Sequence, residues 1–387
     1  MLEAAPEEVR TMKTTGALIR QAGSPWSVEE IEIGEPRRGE VTVAMECSAL
    51  CESDHNLAAG TIPMGTPPVL GGHEGAGVVV AVGEGVTELA VGDHVVTSFL
   101  PSCGKCGPCQ AGLPNRCDGS GNTGGLLGGA SIADGSHRIT TADGRPVAPM
   151  ALVGTFAPYV VAHQNSLIKI DPSIPFEVAC LVGCMLTTGY GAAVHAEGVS
   201  PGEDIAVIGI GIVGAAAISG AVVSGAERIF AVDSSAERRE LALKLGATHA
   251  YSTIADALAE IGTLTGGHLC AHVIATGDPA EARDWMTLTA KGGTCVFTGM
   301  GDLSDHDSEL RIPVAELLQK NLRSSIFGGG NPRHDIAELL ALYKLGDLPL
   351  GDVETVEYRL EDINEGFADL RNDHLRRGFV RFTDADR

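Results

Sequence analysis

Residues 205–235 of this 387-residue chain read IAVIGIGIVGAAAISGAVVSGAERIFAVDSS. An apolar strand is followed by a G-x-G-x-x-G turn at Gly209, Gly211 and Gly214, a helix of small residues and a second strand that ends in Asp233. An acidic side chain at that distance can accept hydrogen bonds from an adenosine ribose, and a helix N-terminus can hold pyrophosphate. The pattern predicts a dinucleotide site, with NAD favoured because Asp233 would repel a 2′-phosphate. A plain glycine turn is the alternative.

The patterning differs along the chain. From Pro201 onward strands alternate with helices, which predicts a parallel sheet covered on both faces. Residues 39–92 alternate short β-branched runs with glycine turns, which predicts a mainly-β half. Residues 118–154, rich in glycine, alanine and threonine, predict a long excursion over the surface. The predicted fold class is therefore α/β, with a mainly-β domain and a doubly wound parallel sheet.

Composition limits the partners. Fifty acidic and 27 basic residues give a net charge of −23, which repels phosphate backbones and anionic lipid and argues against nucleic acid or a membrane as partner. The start of the chain lacks a basic and an apolar signal region, which predicts a cytoplasmic protein. In that reducing compartment the ten cysteines would serve metal binding, packing or catalysis rather than disulfides.

Four cysteines cluster in CGKCGPCQAGLPNRC, residues 103–117, with the spacing C-x₂-C-x₂-C-x₇-C. Four thiolates in a tetrahedron suit zinc and form a closed, structural site. An iron–sulfur cluster, a redox switch and disulfides are the alternatives. The predicted ligands are Cys103, Cys106, Cys109 and Cys117.

A closed site leaves catalysis to other residues. Cys51, His73 and Cys184 lie in the segments LCESDH, GGHEGAG and LVGCMLTTGYG. One imidazole and two thiolates would leave the fourth position of a tetrahedral zinc open for water or substrate. Spacing alone makes this trio a guess, since single cysteines are usually core residues. That core interpretation is assigned to Cys47, Cys180, Cys270 and Cys295.

Together these motifs resemble the zinc-dependent medium-chain alcohol dehydrogenases. GHEGAGVVVAVGEGV follows that family's G-H-E-x₂-G-x₅-G-x₂-V pattern, and the similarity runs from about Met12 to Phe382. Stretches such as PWSVEEIEIGEP and EDINEGFADLR look closest to the actinobacterial N,N-dimethyl-4-nitrosoaniline-dependent alcohol dehydrogenases. Members of that subgroup hold the nicotinamide tightly and pass electrons to an external acceptor, for which mycofactocin is the proposed natural compound.

The resemblance implies a division into domains. A GroES-like catalytic domain over residues 12–186 would carry the zinc lobe at 103–117, and a Rossmann NAD-binding domain would follow over 187–327. Residues 328–387 would return to the catalytic domain, and residues 1–11 would form an extension for which disorder is expected. Two zinc ions per chain, NAD and a homodimer are also implied.

The resemblance assigns roles around the open site by position. Cys51, His73 and Cys184 become catalytic zinc ligands, Glu74 a carboxylate behind the metal, and Asp54 the acceptor of the second N–H of His73. Purely structural roles are the alternative, since Asp54 could cap a helix and Glu74 could be a buried acid paired with a cation.

Proton transfer and cofactor contacts follow in the same way. Ser53 would hydrogen-bond the alcohol oxygen, although it could instead bond its own backbone, and His55 would help to pass the proton outward. Thr188 would pack near the nicotinamide, Phe327 would approach its carboxamide, and Arg377 would pair with the pyrophosphate, although arginines mostly lie on solvated faces. The full cofactor set is Gly209, Gly211, Ile212, Val213, Gly214, Asp233, Arg238, Thr188, Thr298, Met300, Phe327 and Arg377.

Three positions depart from the family pattern. Glu52 stands where much of the family has a basic residue that helps to hold pyrophosphate. Asn56 replaces a histidine that relays the proton in many relatives, with His55 one place earlier, and Ile212 puts a branched side chain in the phosphate loop. These changes concern the diphosphate and the proton exit, and leave the zinc chemistry unaffected.

The predicted function is oxidation of an alcohol to an aldehyde or ketone, and the reverse, by hydride transfer to a nicotinamide cofactor. Two alternatives stay open. One is thiol-dependent oxidation of a formaldehyde adduct by the same chemistry. The other is a zinc-stabilised NAD-binding sensor or scaffold without turnover.

Overall fold

The computed structural model describes residues 11–66, 68–119, 129–305, 309–348, 355–372 and 377–387, so residues 1–10 of the predicted extension lie outside it. The strands are β1 Thr11–Ile19, β2 Ser27–Gly34, β3 Glu40–Ala49, β4 Val69–Leu70, β5 Glu74–Val82, β6 His94–Thr97, β7 Ile139–Thr141, β8 Pro146–Pro149, β9 Tyr159–His163, β10 Leu167–Lys169, β11 Asp204–Ile208, β12 Arg228–Val232, β13 His249–Tyr251, β14 Cys270–Ala275, β15 Thr289–Phe297, β16 Asn321–Ser324, β17 Thr355–Tyr358 and β18 Arg377–Arg381. The α-helices are α1 Glu52–Ala59, α2 Gly107–Gln110, α3 Phe176–Val182, α4 Met185–Gly191, α5 Ile212–Val223, α6 Ala236–Lys244, α7 Ile254–Leu264, α8 Ala282–Leu288, α9 Val314–Leu317, α10 Pro332–Leu345 and α11 Ile363–Asn372, and a π-helix spans Ala192–Glu197.

The second half forms the predicted doubly wound sheet. Its six strands lie in the order β13-β12-β11-β14-β15-β16, and every pairing is parallel. Along β11, Ile205 and Val207 join one apolar cluster while Ala206 and Ile208 join another, because successive side chains point to opposite faces. Both faces are therefore buried, and the carboxyl end of β11 presents the glycine turn.

The first half is mainly β, as predicted. One sheet closes into a barrel in the order β1-β2-β7-β8-β4, and the other runs β10-β6-β5-β3-β18-β17 with β9 also paired to β3. Strand β18 pairs antiparallel with β3, with Phe379 opposite Ala49, so the end of the chain lies in the sheet that begins near residue 40. Both residues are buried in the largest apolar cluster.

The prediction of a surface excursion over residues 118–154 is wrong for its described part. Strands β7 and β8 complete the barrel, and Ile139 and Val147 are buried. The two strands have three and four residues, too few to show a period of two. Residues 120–128 of this stretch lie outside the described residues.

Glycines let the two halves approach closely beside Cys184, where α4 begins. A Cβ at Gly189 would lie 2.1 Å from the Val213 carbonyl oxygen of α5, and one at Gly191 would lie 2.7 Å from Gly328 Cα. Such distances admit only glycine. The helix that starts after Cys184 is thereby held against the helix that starts at the glycine turn.

Within the described part of the chain, no single helix has the length and apolar composition to cross a membrane. Phe176–Val182 and Met185–Glu197 meet that test only together, as a pair bent by 46°.

Candidate active site

Three separated segments bring a thiol, an imidazole and a second thiol together. Cys51 caps the N-terminus of α1, His73 directly precedes β5, and Cys184 lies between α3 and α4. The ligand atoms of these residues and of Glu74 all lie within 4.8 Å of one another. One zinc ion with bonds of about 2.0–2.3 Å can span such a group.

His73 has a nitrogen that the protein leaves unsatisfied. Its ring is 1% exposed, and Nε2 has no hydrogen-bond partner among the described residues. An unpaired buried nitrogen is costly unless something binds it. A hydrogen bond with the Cys184 thiol, and then the charge of His73, lower the pKa of Cys51 well below its usual value against the opposing effect of burial. These donors fit a zinc ion.

Asp54 ties two of these segments together. Its Oδ1 lies 3.0 Å from His73 Nδ1 and accepts a hydrogen bond from the Gly72 N–H at 3.1 Å. Its Oδ2 accepts from the Cys51 N–H at 3.1 Å, which caps α1. Asp54 therefore contacts the imidazole and also caps the helix, the two functions weighed against each other from the sequence.

The backbone around His73 is fixed by Thr97, which sequence patterns did not single out. Thr97 Oγ1 donates to the His73 carbonyl at 2.9 Å and accepts from the Gly75 N–H at 2.8 Å. Gly72 has a φ of +87°, and a Cβ there would lie 2.4 Å from Thr155 Oγ1. The HVVT strand carries no local signal of this contact, which exists only after β5 and β6 pair.

Glu74 forms a buried ion pair with Arg377, a contact that sequence reasoning missed. The Arg377 guanidinium donates to Glu74 Oε2, and both side chains are at most 3% exposed. Burial raises the pKa of Glu74 to about 8, against the opposing charge of Arg377. Arg377 was expected at the pyrophosphate, and the structure places its guanidinium against the Glu74 carboxylate, beside the three expected ligands.

Ser53, His55 and two phenylalanines surround the trio. Ser53 Oγ lies 3.8 Å from Cys51 Sγ. His55 is half-buried on α1, and its described ring neighbour is Phe367 at 6.5 Å, so no direct link to Ser53 is seen in the described contacts. The Phe99 ring lies 5.9 Å from the His73 ring and 4.4 Å from that of Phe327. Phe99 thus forms an apolar wall between His73 and Phe327.

The second cysteine group also converges. The sulfur atoms of all four residues lie within 4.8 Å of one another. Backbone N–H groups of Lys105 and Cys106 lower the pKa of Cys103 to about 6, although burial opposes this. The Asp118 N–H donates to Cys106 Sγ at 3.4 Å. Thiols that receive backbone hydrogen bonds in a closed tetrahedral group fit a structural zinc. The four converging residues are Cys103, Cys106, Cys109 and Cys117.

The glycine turn has the predicted geometry. Gly209 has a φ of +83°, and a Cβ at Gly214 would lie 2.0 Å from the Gly209 carbonyl oxygen. Asp233 Oδ2 accepts from the Ile210 N–H at 2.7 Å, and Arg238 lies 3.5 Å away from the same oxygen. Gly209, Asp233 and Arg238 line a cleft of about 620 Å³. Gly211 caps α5 with open space around its Cα.

Comparison with known proteins decides the family. Residues 37–172 match the alcohol dehydrogenase GroES-like domain, and residues 213–344 match the zinc-binding dehydrogenase domain. Alcohol dehydrogenase B of Mycobacterium tuberculosis is 54% identical over 97% of this chain and 100% of its own length. The chain belongs to the zinc-dependent alcohol dehydrogenases.

Two further matches have the same extent. The NDMA-dependent alcohol dehydrogenase of Amycolatopsis methanolica is 39% identical over 95% of this chain and 99% of its own. The crystal structure of an alcohol dehydrogenase zinc-binding domain protein from Burkholderia ambifaria has a TM-score of 0.88 and 33% identity, and covers 97% of this chain and 100% of its own. This alcohol dehydrogenase is thus an enzyme of alcohol oxidation that uses zinc and a nicotinamide cofactor, with a GroES-like half and a Rossmann half.

The other expected cofactor residues of the alcohol dehydrogenase make local backbone contacts or pack against the main apolar cluster. Thr188 Oγ1 donates to the Cys184 carbonyl at 2.8 Å, and the Thr298 N–H donates to the Ala275 carbonyl at 3.0 Å beyond β14. Phe327 is buried with a φ of +50°, next to Gly328. Half-buried side chains that pack against the main apolar cluster are those of Ile212, Val213 and Met300. The Ile212 side chain therefore packs against apolar neighbours.

Two of the three departures from the family pattern, Glu52 and Asn56, lie on α1. Glu52 is exposed, and Asn56 is half-buried with its carbonyl accepting from the Gly60 N–H at 3.0 Å. Glu52 directly follows Cys51, an expected zinc ligand, at the start of α1. The structure does not place a described polar contact between Asn56 and Ser53.

Proposed function

We propose that the enzyme oxidises an alcohol at the group formed by Cys51, His73 and Cys184, with a second, structural zinc at the four-cysteine group. The observation that carries this proposal is the buried Nε2 of His73, which has no hydrogen-bond partner among the described residues, on a ring whose ligand atom lies within 4.8 Å of the two sulfurs. Three ligands leave one tetrahedral position for substrate. A bound zinc ion supplies Lewis acidity, which lowers the pKa of an alcohol.

The chain's own residues position the substrate and its proton. Ser53, at the start of α1 beside Cys51, would accept the hydroxyl proton of the alcohol while it releases its own proton toward solvent, and His55 on the same helix would help to pass that proton outward without a direct described contact to Ser53. Phe99 packs against the His73 ring and excludes water from one side of the site. Asp54 holds His73 in the tautomer that leaves Nε2 for the metal.

The nicotinamide cofactor is proposed to be NAD. Asp233 follows β12 and lines the cleft with Gly209 and Arg238. There its carboxylate accepts hydrogen bonds from the ribose hydroxyls and repels a 2′-phosphate. The N-terminus of α5 faces the pyrophosphate. Thr188, which donates to the Cys184 carbonyl, and the Phe327 backbone are proposed to contact the nicotinamide, and Thr298 and Met300 are proposed as further cofactor contacts.

The cofactor is further proposed to stay bound during turnover and to be reoxidised by an external acceptor such as mycofactocin. The support is the resemblance to the NDMA-dependent group and the 39% identity with the Amycolatopsis methanolica protein of that name. Tight retention would have to come from contacts other than Glu52, because its negative charge would repel the diphosphate.

Assembly, compartment and domains complete the proposal. Strand β16 pairs with β15 on one side, and no described strand covers its other edge; the nearby Leu317 and Leu318 are exposed, so a homodimer through this edge is proposed. All ten cysteines are described and none forms a disulfide, which suits the cytoplasm. The division at residues 12–186, 187–327 and 328–387 is retained.

The test combines metal analysis with turnover in matched cysteine variants. Cys184→Ala should lose turnover and one zinc per chain, whereas Cys295→Ala, a buried cysteine of the Rossmann core, should keep both. Native mass spectrometry of the same samples reports any retained dinucleotide. Wild-type turnover and zinc content in Cys184→Ala would overturn the ligand assignment. An empty cofactor site that exchanges added NAD⁺ freely would overturn only the retained-cofactor proposal.

A further inference from the structure

A third group of metal-binding side chains lies outside both cysteine sites, on the first turns of α10. The ligand atoms of His334, Asp335 and Glu338 all lie within 4.8 Å of one another. His334 and Glu338 are four residues apart and therefore share one face of the helix. The group faces the π-helix through His195, which none of the proposed catalytic steps uses.

The spacings within this group suit a shared ion better than direct hydrogen bonds. His334 Nδ1 lies 3.5 Å from Asp335 Oδ1 and 3.5 Å from Glu338 Oε2. A tetrahedral ion with bonds of about 2.0–2.1 Å separates its ligand atoms by about 3.3 Å. Good hydrogen bonds between nitrogen and oxygen are shorter, at about 2.9 Å.

Asp335 supplies an independent indication of a ligand. It is 1% exposed, and its Oδ2 has no hydrogen-bond partner among the described residues. A Cβ at Gly330 would lie 2.1 Å from this oxygen and 2.4 Å from His195 Cδ2, so the carboxylate and the imidazole share the space that Gly330 leaves open. A buried carboxylate oxygen without a donor is costly unless a cation or a water binds it.

His195 and Tyr190 hold the two carboxylates in place. His195 Nε2 lies 3.2 Å from Asp335 Oδ1, and the Tyr190 hydroxyl donates to Glu338 Oε1 at 3.1 Å. The second oxygen of Glu338 is the one that lies toward His334. Such contacts orient metal ligands from behind.

We propose that His334, Asp335 and Glu338 bind a divalent transition-metal ion of the zinc type, with His195 as a positioning residue. An imidazole with two carboxylates suits Zn²⁺ rather than Mg²⁺ or Ca²⁺, which take oxygen ligands. The half-exposed Glu338 and the exposed His334 leave the ion open to solvent. All three ligands lie at the start of α10, and His195 connects Asp335 to the π-helix that extends α4, so metal binding stabilises the folded chain.

The test uses the purified holoenzyme equilibrated with micromolar Zn²⁺, followed by removal of unbound metal and elemental analysis. Wild type should hold one zinc per chain more than His334→Gln and Glu338→Gln, and added zinc should raise the Tm of wild type but not of these two variants. The matched control is His268→Gln, which removes an exposed histidine outside the group and should behave as wild type.

Two outcomes would overturn the site. In one, His334→Gln holds as much zinc as wild type, which would leave a water on Asp335. In the other, the extra zinc is lost equally in His268→Gln, which would mean general binding to surface histidines. Failure of the proposed catalytic zinc is distinguishable, because it would lower the metal content of all four proteins alike and leave the difference between them unchanged.

Discussion

Asp54 and His73 form a buried carboxylate–imidazole pair, with 3.0 Å between Oδ1 and Nδ1. The same carboxylate accepts the Cys51 N–H, so one side chain fixes the backbone of one proposed ligand and the ring of another. Burial raises the pKa of Asp54, and the charge and hydrogen bond of His73 oppose that rise. The bond at Nδ1 leaves Nε2 free for a metal.

Asp54→Asn should weaken zinc retention about 10- to 100-fold, because an amide orients the imidazole less strongly and adds no negative charge. Chelator titration, followed by zinc content and turnover together, measures this. Asp384→Asn, at a fully exposed aspartate, is the control and should match wild type. Equal chelator sensitivity in both variants would remove Asp54 from the zinc site.

Cys103→Ser should destabilise the fold rather than slow the reaction itself. Loss of a structural metal is among the largest single-residue effects, and the free energy of unfolding should fall by about 3 kcal/mol or more. Denaturant unfolding with zinc analysis tests this, and the exposed Lys105→Gln in the same lobe is the control. An unchanged unfolding midpoint with one zinc missing would argue against a bracing role.

The Rossmann half was predictable because its signals are local and repeated. Apolar strands of five or six residues alternate with helices, and a glycine turn precedes one helix. The hydrophobic period and the ends of each element can therefore be recognised from residues close together in sequence. The four-cysteine lobe was recognisable for the same reason, since its ligands lie within fifteen residues. Its convergence needs little more than tight turns.

Contacts between distant short segments were not predictable in this way. Glu74 and Arg377 are 303 residues apart, and nothing near either one signals the other. Strands β7 and β8 are too short to display alternation and acquire their identity only when they close the barrel. The trio at Cys51, His73 and Cys184 is intermediate, because resemblance singled it out whereas spacing alone left it a guess.

Asp233→Asn should relax selectivity between NAD and NADP. Removal of the carboxylate charge lifts a repulsion that costs several kcal/mol for like charges, so the preference for NAD should fall by at least about tenfold. The ratio of kcat/KM for the two cofactors measures it, or the identity of the retained dinucleotide if exchange is slow. Asp278→Asn, an exposed aspartate in the same half, should leave the ratio unchanged.

Glu197→Gln should flatten the pH dependence of stability. Burial raises the pKa of Glu197 from 4.5 to about 7, with His272 opposing. Between these values the unfolded chain releases a proton that the folded chain keeps, so the free energy of unfolding falls as pH rises. The His272 pKa is also raised by its carboxylate neighbours, and its contribution is likewise lost as pH rises through the folded value.

From acid to mildly alkaline pH, the free energy of unfolding of wild type should therefore fall by about 3 kcal/mol relative to that of Glu197→Gln. Denaturant unfolding at a series of pH values measures it. Glu227→Gln, an exposed residue of the same half, should run parallel to wild type. Parallel profiles for Glu197→Gln would show that this carboxyl titrates normally.

Above about pH 8, where Glu74 is ionised, Arg377→Met should destabilise the protein strongly, because it leaves the Glu74 carboxylate buried without its counterion. Loss of one partner of a buried ion pair costs about 3–5 kcal/mol, whereas loss of both costs much less. The double variant Glu74→Gln, Arg377→Met should therefore recover part of the loss, measured as a double-mutant cycle on zinc-loaded protein. Arg311→Met removes an arginine from an exposed pair with Glu309 and should change the free energy of unfolding little. Additive losses in the cycle would mean that Glu74 and Arg377 act independently, and the pyrophosphate would then be the better explanation for Arg377.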